Sequence, residues 1–141
     1  MGDAEPLERF VTAQAPVIAQ IRAELQAGRK TSHWMWFIFP QLRGLGHSAM
    51  AQHYGIADLT EACAYLAHPL LGSRLRDCTE LVNRHATRSA YEIFGSPDDL
   101  KFRSSMTLFH LAGPDEPLFR QALEQFYFGQ LDNVTVSQAQ I

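Results

Sequence analysis

"KTSHWMWFIFPQLRGLGHS", running from Lys30 to Ser48, decides the fold. It sets two Trp, two Phe, two His and a Pro in a span barely long enough for one element. Trp34, Trp36 and Ile38 alternate with Met35, Phe37 and Phe39. Both sets are apolar, so a period of two separates no faces. Aromatic enrichment favours a strand. Ser32 as a cap and Pro40 as a terminator favour a short helix over 33–39. A buried strand with no neighbour leaves its backbone donors and acceptors unsatisfied. No second convincing strand exists elsewhere, so the stretch reads as helix and the chain as all-α.

The flanking sequence agrees. Leu7, Phe10, Val11, Val17, Ile18, Ile21 and Leu25 recur mostly at three- and four-residue steps, one face of an amphipathic helix. Pro16 interrupts that pattern and allows two shorter helices, and Gly28 is a natural stop. Asp58 caps "DLTEACAYLAHP", with Glu61 three residues on. Pro69 ends or bends that helix. Leu70, Leu71, Leu75, Cys78, Leu81 and Val82 mark the next, with Gly72 a weak point near its start. "SAYEIFG" gives one or two turns. In "SPDDLKFRSSMTLFHLAG", Ser96 is expected to cap, Pro97 takes the first helical position, and Asp98 and Asp99 complement the helix dipole. "DEPLFRQALEQFYFG" is a strong helix with Asp115 as its expected cap. The expectation is a single compact all-α domain over 1–141, with about six helices in orthogonal-type packing. Residues 130–141 are expected to form a loose tail with a short extended piece at best.

Composition narrows the function classes. The 141 residues are 46% hydrophobic, which argues against a disordered chain. A formal net charge of -3 gives no bulk attraction to nucleic acid or anionic lipid. No window approaches the ~18 apolar residues of a membrane span, and the acidic "MGDAEPLERF" does not resemble a signal peptide. A soluble, cytoplasmic protein is expected, with no nucleic-acid or membrane partner; its oligomeric state is not legible. Cys63 and Cys78 have neither redox nor zinc spacing and read as buried thiols.

Three phrases, "GRKTSHWMWFIFPQLRGLGHSAMAQHYGI", "EACAYLAHPLLGSRLRDC" and "IFGSPDDLKFRSSMTLF", resemble a family of small bacterial proteins known as a domain of unknown function, number 1810. The resemblance covers nearly the whole chain. It implies a mainly α-helical fold and loose associations with NAD and ADP-ribose metabolism, but supplies no catalytic residues. Some members carry the label calpastatin. That inhibitor type is disordered, and this composition is not.

Polar residues attached to apolar elements are the candidates for chemistry. Gln41, Arg43, Ser48 and Tyr54 flank the aromatic run. The two glycines of "RGLGHS" let backbone approach a ligand. Ser48 caps a following "SAMAQHYG" helix beside Arg43 and His47, a setting suited to an anion. Trp34 is the expected ring-stacking platform. In a helix Trp34 and Trp36 stand about 200° apart, so only one can face a ligand. Lys101, Ser104 and Ser105 cluster on the following polar helix face. His33 and His110 are the candidate acid–base pair. The histidines lack HxxxH or HExxH spacing, so neither metal nor cofactor is implied. Asp132 reads first as a turn former.

Two functional readings follow. The first is binding or hydrolysis of an anionic, ring-containing small molecule, nucleotide-like and related to NAD or ADP-ribose, in a pocket beside residues 33–48. The alternative is a non-enzymatic protein-interaction module using an exposed aromatic and Met patch.

Overall fold

Pro16 divides the N-terminal pattern into α1 (Glu5–Gln14) and α2 (Ile18–Ala27). Gly28 closes α2 in the left-handed conformation, at φ 76°. The computed structural model describes residues 5–139. The elements that follow are α3 (Met35–Ile38), a 3₁₀ turn (Arg43–Leu45), α4 (Ala49–Tyr54), α5 (Leu59–Ala67), α6 (Pro69–Asn83), α7 (Ala90–Phe94), α8 (Asp98–Ala112), α9 (Pro117–Tyr127) and α10 (Asn133–Ala139). Among the described residues there are ten α-helices and no strand, so the all-α expectation holds and the count of about six does not. The miscount has a physical cause. The short α3, α4 and α7 are legible only as caps and turns that add to the count, and α10, too short to display a 3.6-residue period, falls in the expected tail. Caps and tertiary contacts define them instead.

Several caps follow the sequence. Asp58 accepts from the Glu61 N–H, Ser48 from the Ala51 N–H, and Ser89 with Glu92 forms a complete capping box. His68 adds a cap of an unexpected kind, its Nδ1 accepting from the Leu70 and Leu71 N–H groups. Three expected caps fail. Ser32 lies two residues ahead of the Trp34 N-cap, α8 begins after Pro97 with no side-chain cap from Ser96, and Glu116 rather than Asp115 precedes α9.

The centre of the fold is α8. Phe102 and every residue from Ser104 to Phe109 are buried, because α5, α7, α9 and α10 all pack on this helix. A helix covered over most of its circumference, with Leu100 left exposed near its start, cannot show the broad polar stripe of a surface helix. Two of its hydroxyls satisfy themselves locally, Ser104 donating to the Leu100 carbonyl and Thr107 to that of Arg103. Phe39, Phe94 and Phe102 form a ring cluster at centroid separations of 4.7–5.9 Å, with Phe94 stacked on Phe102 and Phe39 edge-on to both. It joins the opening aromatic stretch to α8. Trp34, Met35, Phe37, Ile38 and Phe39 are all buried, so the exposed aromatic and Met patch required by the interaction-module reading is absent from them.

The expected loose tail is also corrected. Residues 133–139 form α10, which packs on α8. Asp132 Oδ2 accepts from the Thr135 N–H and hydroxyl and from Ser104. The Arg103 guanidinium donates to the carbonyls of Gln130 and Leu131. Polar bonds rather than an apolar period hold this segment, which explains why its composition reads as coil. Residues 140–141 lie outside the described part.

Candidate functional site

The aromatic run owes its path to Glu24. This carboxylate on α2 is 7% exposed. Its Oε1 accepts from the N–H groups of Thr31 (2.8 Å) and Ser32 (3.2 Å) and from the Trp34 indole (2.9 Å). Its Oε2 accepts from Ser32 Oγ (2.5 Å) and Gln20 (3.0 Å). Burial pushes the carboxyl pKa up, but the bonds from Ser32, Thr31, Trp34 and Gln20 outweigh it and hold it at about 2. Trp34 is thereby drawn inward, to 1% exposure. The expected stacking residue is core. Helix α3 then starts at Met35 and brings Trp36, only half-buried, to the surface.

Trp36 flanks a narrow apolar slot lined also by Met35, Phe39, Ala51 and Tyr54. The slot shares Gln41, Ala51 and Lys101 with a wider cleft of about 570 Å³. One wall of the cleft is the 3₁₀ turn and its loop, Gly44 to Ser48. The other combines Pro97, Leu100 and Ser104 of the α8 segment with Asp132, Val134 and Gln138 around α10. The parallel bridge between Leu42 and Ile56 fixes the first wall. Gly55 allows it, since a Cβ there would lie 2.4 Å from Arg43 Cα.

Lys101 sits at the junction of slot and cleft. Its ammonium is 5.6 Å from the Trp36 ring centroid and 3.8 Å from Asp98 Oδ1. Asp98 holds Lys30 more closely, at 2.9 Å through Oδ2. Lys30 in turn lies over the Trp34 ring at 5.2 Å. Asp132 contributes a carboxylate whose Oδ2 is engaged by Ser104 and Thr135.

Of the residues expected at a site, Gln41, Ser48, Tyr54, Lys101 and Ser104 converge on this slot and cleft. Ser48 is committed to capping α4, and Ser104 bonds Leu100 and Asp132. Arg43 does not line the cleft; its guanidinium donates to the Gly55 carbonyl. Ser105 is fully buried, with Oγ unpartnered among the described residues. His33 is exposed on the loop before α3, and His110 lies in the last turn of α8 with a buried, unpartnered Nδ1. Neither lines the cleft, so the expected acid–base pair does not assemble there. The sequence did not single out Trp36, Val134 or Gln138, and it favoured a turn for Asp132 over a place at the site. The alternation of Trp34 and Trp36 carried the signal for the first, but choosing between them required the helix start.

Among the described residues no group of three or more His, Cys, Asp or Glu is placed to hold a metal, and no helix is long and apolar enough to cross a membrane. Cys78 is buried, and burial pushes its thiol up to about 12, which leaves it inert. Cys63, expected buried, is exposed.

This all-helical chain, with its cleft between the 3₁₀ loop and α8–α10, belongs to the family described as "Protein of unknown function (DUF1810)", whose model matches residues 4–139. The conserved hypothetical protein Rv1873 from Mycobacterium tuberculosis, known from a crystal structure, is 56% identical to it. The similarity covers 96% of each chain, with a TM-score of 0.94. No curated protein matches the chain.

Proposed function

We propose that the chain binds a small molecule carrying an anionic group and a flat ring, in the joined slot and cleft between α4 and α8. Lys101 holds the anion and Trp36 flanks the ring. One observation carries this reading: Lys101 stands where the apolar slot meets the polar cleft, and its only carboxylate neighbour among the described residues is 3.8 Å away and already held by Lys30. A cation with so long a pairing retains most of its capacity for an incoming anion. Gln41, Gln138 and His47 supply further polar groups along the wall. A cleft of about 570 Å³ suits a ligand of nucleotide size. Nucleotide-like molecules related to NAD or ADP-ribose have this combination of charge and ring. The reading is one of binding, since neither His33 nor His110 borders the cleft.

The test is a thermal-shift and NMR titration with adenosine monophosphate, NAD and ADP-ribose. Saturating ligand at about 100 Kd should stabilise the fold by about 2.7 kcal/mol. Lys101→Gln should weaken binding about tenfold or more, the scale of one charge-assisted bond. Absence of any shift in the wild-type chain at millimolar ligand refutes the proposal.

A further inference from the structure

A second cleft, of about 430 Å³, lies between the loop that follows α2 and helix α7. Arg29, Lys30, Arg88, Tyr91 and Glu92 are among the residues that border it. Its two sides are fastened together. The Lys30 N–H donates to the Ile93 carbonyl at 2.7 Å, and Gly28 lies against the His85 ring and the Arg88 stem.

The partners of the arginines single this cleft out. The chain has ten arginines. Arg9, Arg22, Arg76, Arg84 and Arg120 pair with carboxylates, while Arg43, Arg74 and Arg103 donate to carbonyl or amide oxygens. Among the described residues, Arg29 and Arg88 alone have no side-chain partner. Both border the same cleft, and both are exposed. Two guanidiniums in one cleft repel each other, and Glu92, the one carboxylate bordering it among the described residues, is turned to the Ser89 N–H. An anion between them reverses that sign, and the planar guanidinium fork matches the oxygens of a phosphoryl group. Tyr91 stands on the same cleft with 63% of its surface exposed. A large aromatic ring so placed offers a stacking face.

We propose that this cleft is a second anion site, separate from the Lys101 cleft, which takes a small phosphate monoester of an aromatic ring. Arg29 and Arg88 grip the phosphoryl oxygens, and Tyr91 stacks on the ring. Lys30 adds little charge, because its side chain is 7% exposed and its ammonium is held by Asp98. Glu92 opposes the ligand, and its own task is to cap the Ser89 N–H.

The experiment is a titration of the full chain with phenyl phosphate and with inorganic phosphate, read by amide chemical shifts. The expected result is saturable shifts at Arg29 and from Arg88 to Gly95, with phenyl phosphate binding more tightly than inorganic phosphate. Arg29→Gln combined with Arg88→Gln should weaken binding about tenfold or more. Tyr91→Ala should bring phenyl phosphate down to the affinity of inorganic phosphate. Glu92→Gln should tighten binding, since it removes the opposing charge and keeps a side chain able to complete the capping box. Lys101→Gln should leave this site unchanged, which separates it from the cleft beside Trp36. Among the described residues neither guanidinium has a hydrogen-bond or ion-pair partner, so these variants should fold, and unchanged amide spectra away from the cleft verify that. Single Arg88→Glu, with reversed charge, gives an independent reading. Retained affinity in the folded arginine variants, shifts confined to the surroundings of Lys101, or no saturable shift in the wild-type chain would each overturn the proposal.

Discussion

Glu24→Gln is the perturbation with the most calculable consequence. The carboxylate accepts five hydrogen bonds from Gln20, Thr31, Ser32 and Trp34. Gln offers one acceptor oxygen in place of two and turns an NH₂ toward groups that are themselves donors. Bonding lowers the carboxyl pKa from 4.5 to about 2. A displacement of that size corresponds to about 3 kcal/mol of stability at neutral pH. The folded value lies below the unfolded one, so the unfolded chain takes up the proton first as pH falls. The contribution is therefore complete above 4.5 and disappears as pH drops toward about 2. Urea unfolding near neutral pH should find the variant about 3 kcal/mol less stable, a loss of about 6–12 °C in Tm for a chain of this size. At about pH 3 the gap between the two proteins should have narrowed. Trp34 emission should also change, because its indole loses a carboxylate acceptor. A gap under about 1 kcal/mol at neutral pH, or one that stays constant into acid, would refute the claim that an ionised carboxylate fastens this loop.

Three further outcomes are expected. Gly72→Ala should destabilise the chain by about 1–3 kcal/mol in denaturant unfolding, against the usual gain of a helical Ala, because its Cβ would lie 2.1 Å from the Leu66 carbonyl oxygen; a raised Tm would contradict that close approach. Phe128→Gly should stabilise by about 1 kcal/mol, since Phe128 is 94% exposed at φ 56° and packs on little that its loss would expose; a calorimetric loss instead would reveal a packing role for the ring. Asp132→Ala removes the acceptor of Ser104 and Thr135 and should cost about 2 kcal/mol. Amide exchange over 133–139 should accelerate with α8 still protected, and unchanged exchange there would mean that other contacts hold α10.

Long helices were legible because their causes are local. The interruption at Pro16, the stop at Gly28 and the cap at Asp58 each follow from one residue's backbone or side-chain chemistry. The site was legible only in part, because its selection depends on contacts distant in sequence. Glu24 gives no local sign that it will bind a loop seven to ten residues on, yet that binding decides which Trp is core. Asp132 reads as a turn former, and it is one; its place on a cleft wall arises because Ser104 and Thr107 on α8 dock the segment. Ser105 and His110 have residue types that suggest chemistry, but Ser105 is fully buried and His110 lies in the last turn of α8, so neither borders the cleft.

The division of labour within "HWMWFIFP" follows from the same electrostatics. The chain has two lysines and two tryptophans. Lys30 lies over Trp34 and Lys101 over Trp36, and Asp98 joins the two ammonium groups through its two oxygens. The sharing is unequal. Lys30, buried beside a buried ring, needs a close carboxylate to offset its lost hydration, and takes Asp98 at 2.9 Å. Lys101 is more exposed and better hydrated, and stays at 3.8 Å. One carboxylate thus completes the interior around Trp34 and leaves the cation beside Trp36 largely uncommitted. The inward Trp and its lysine belong to the fold; the outward Trp, with Lys101 from α8, is the pair on which the proposed ligand site rests.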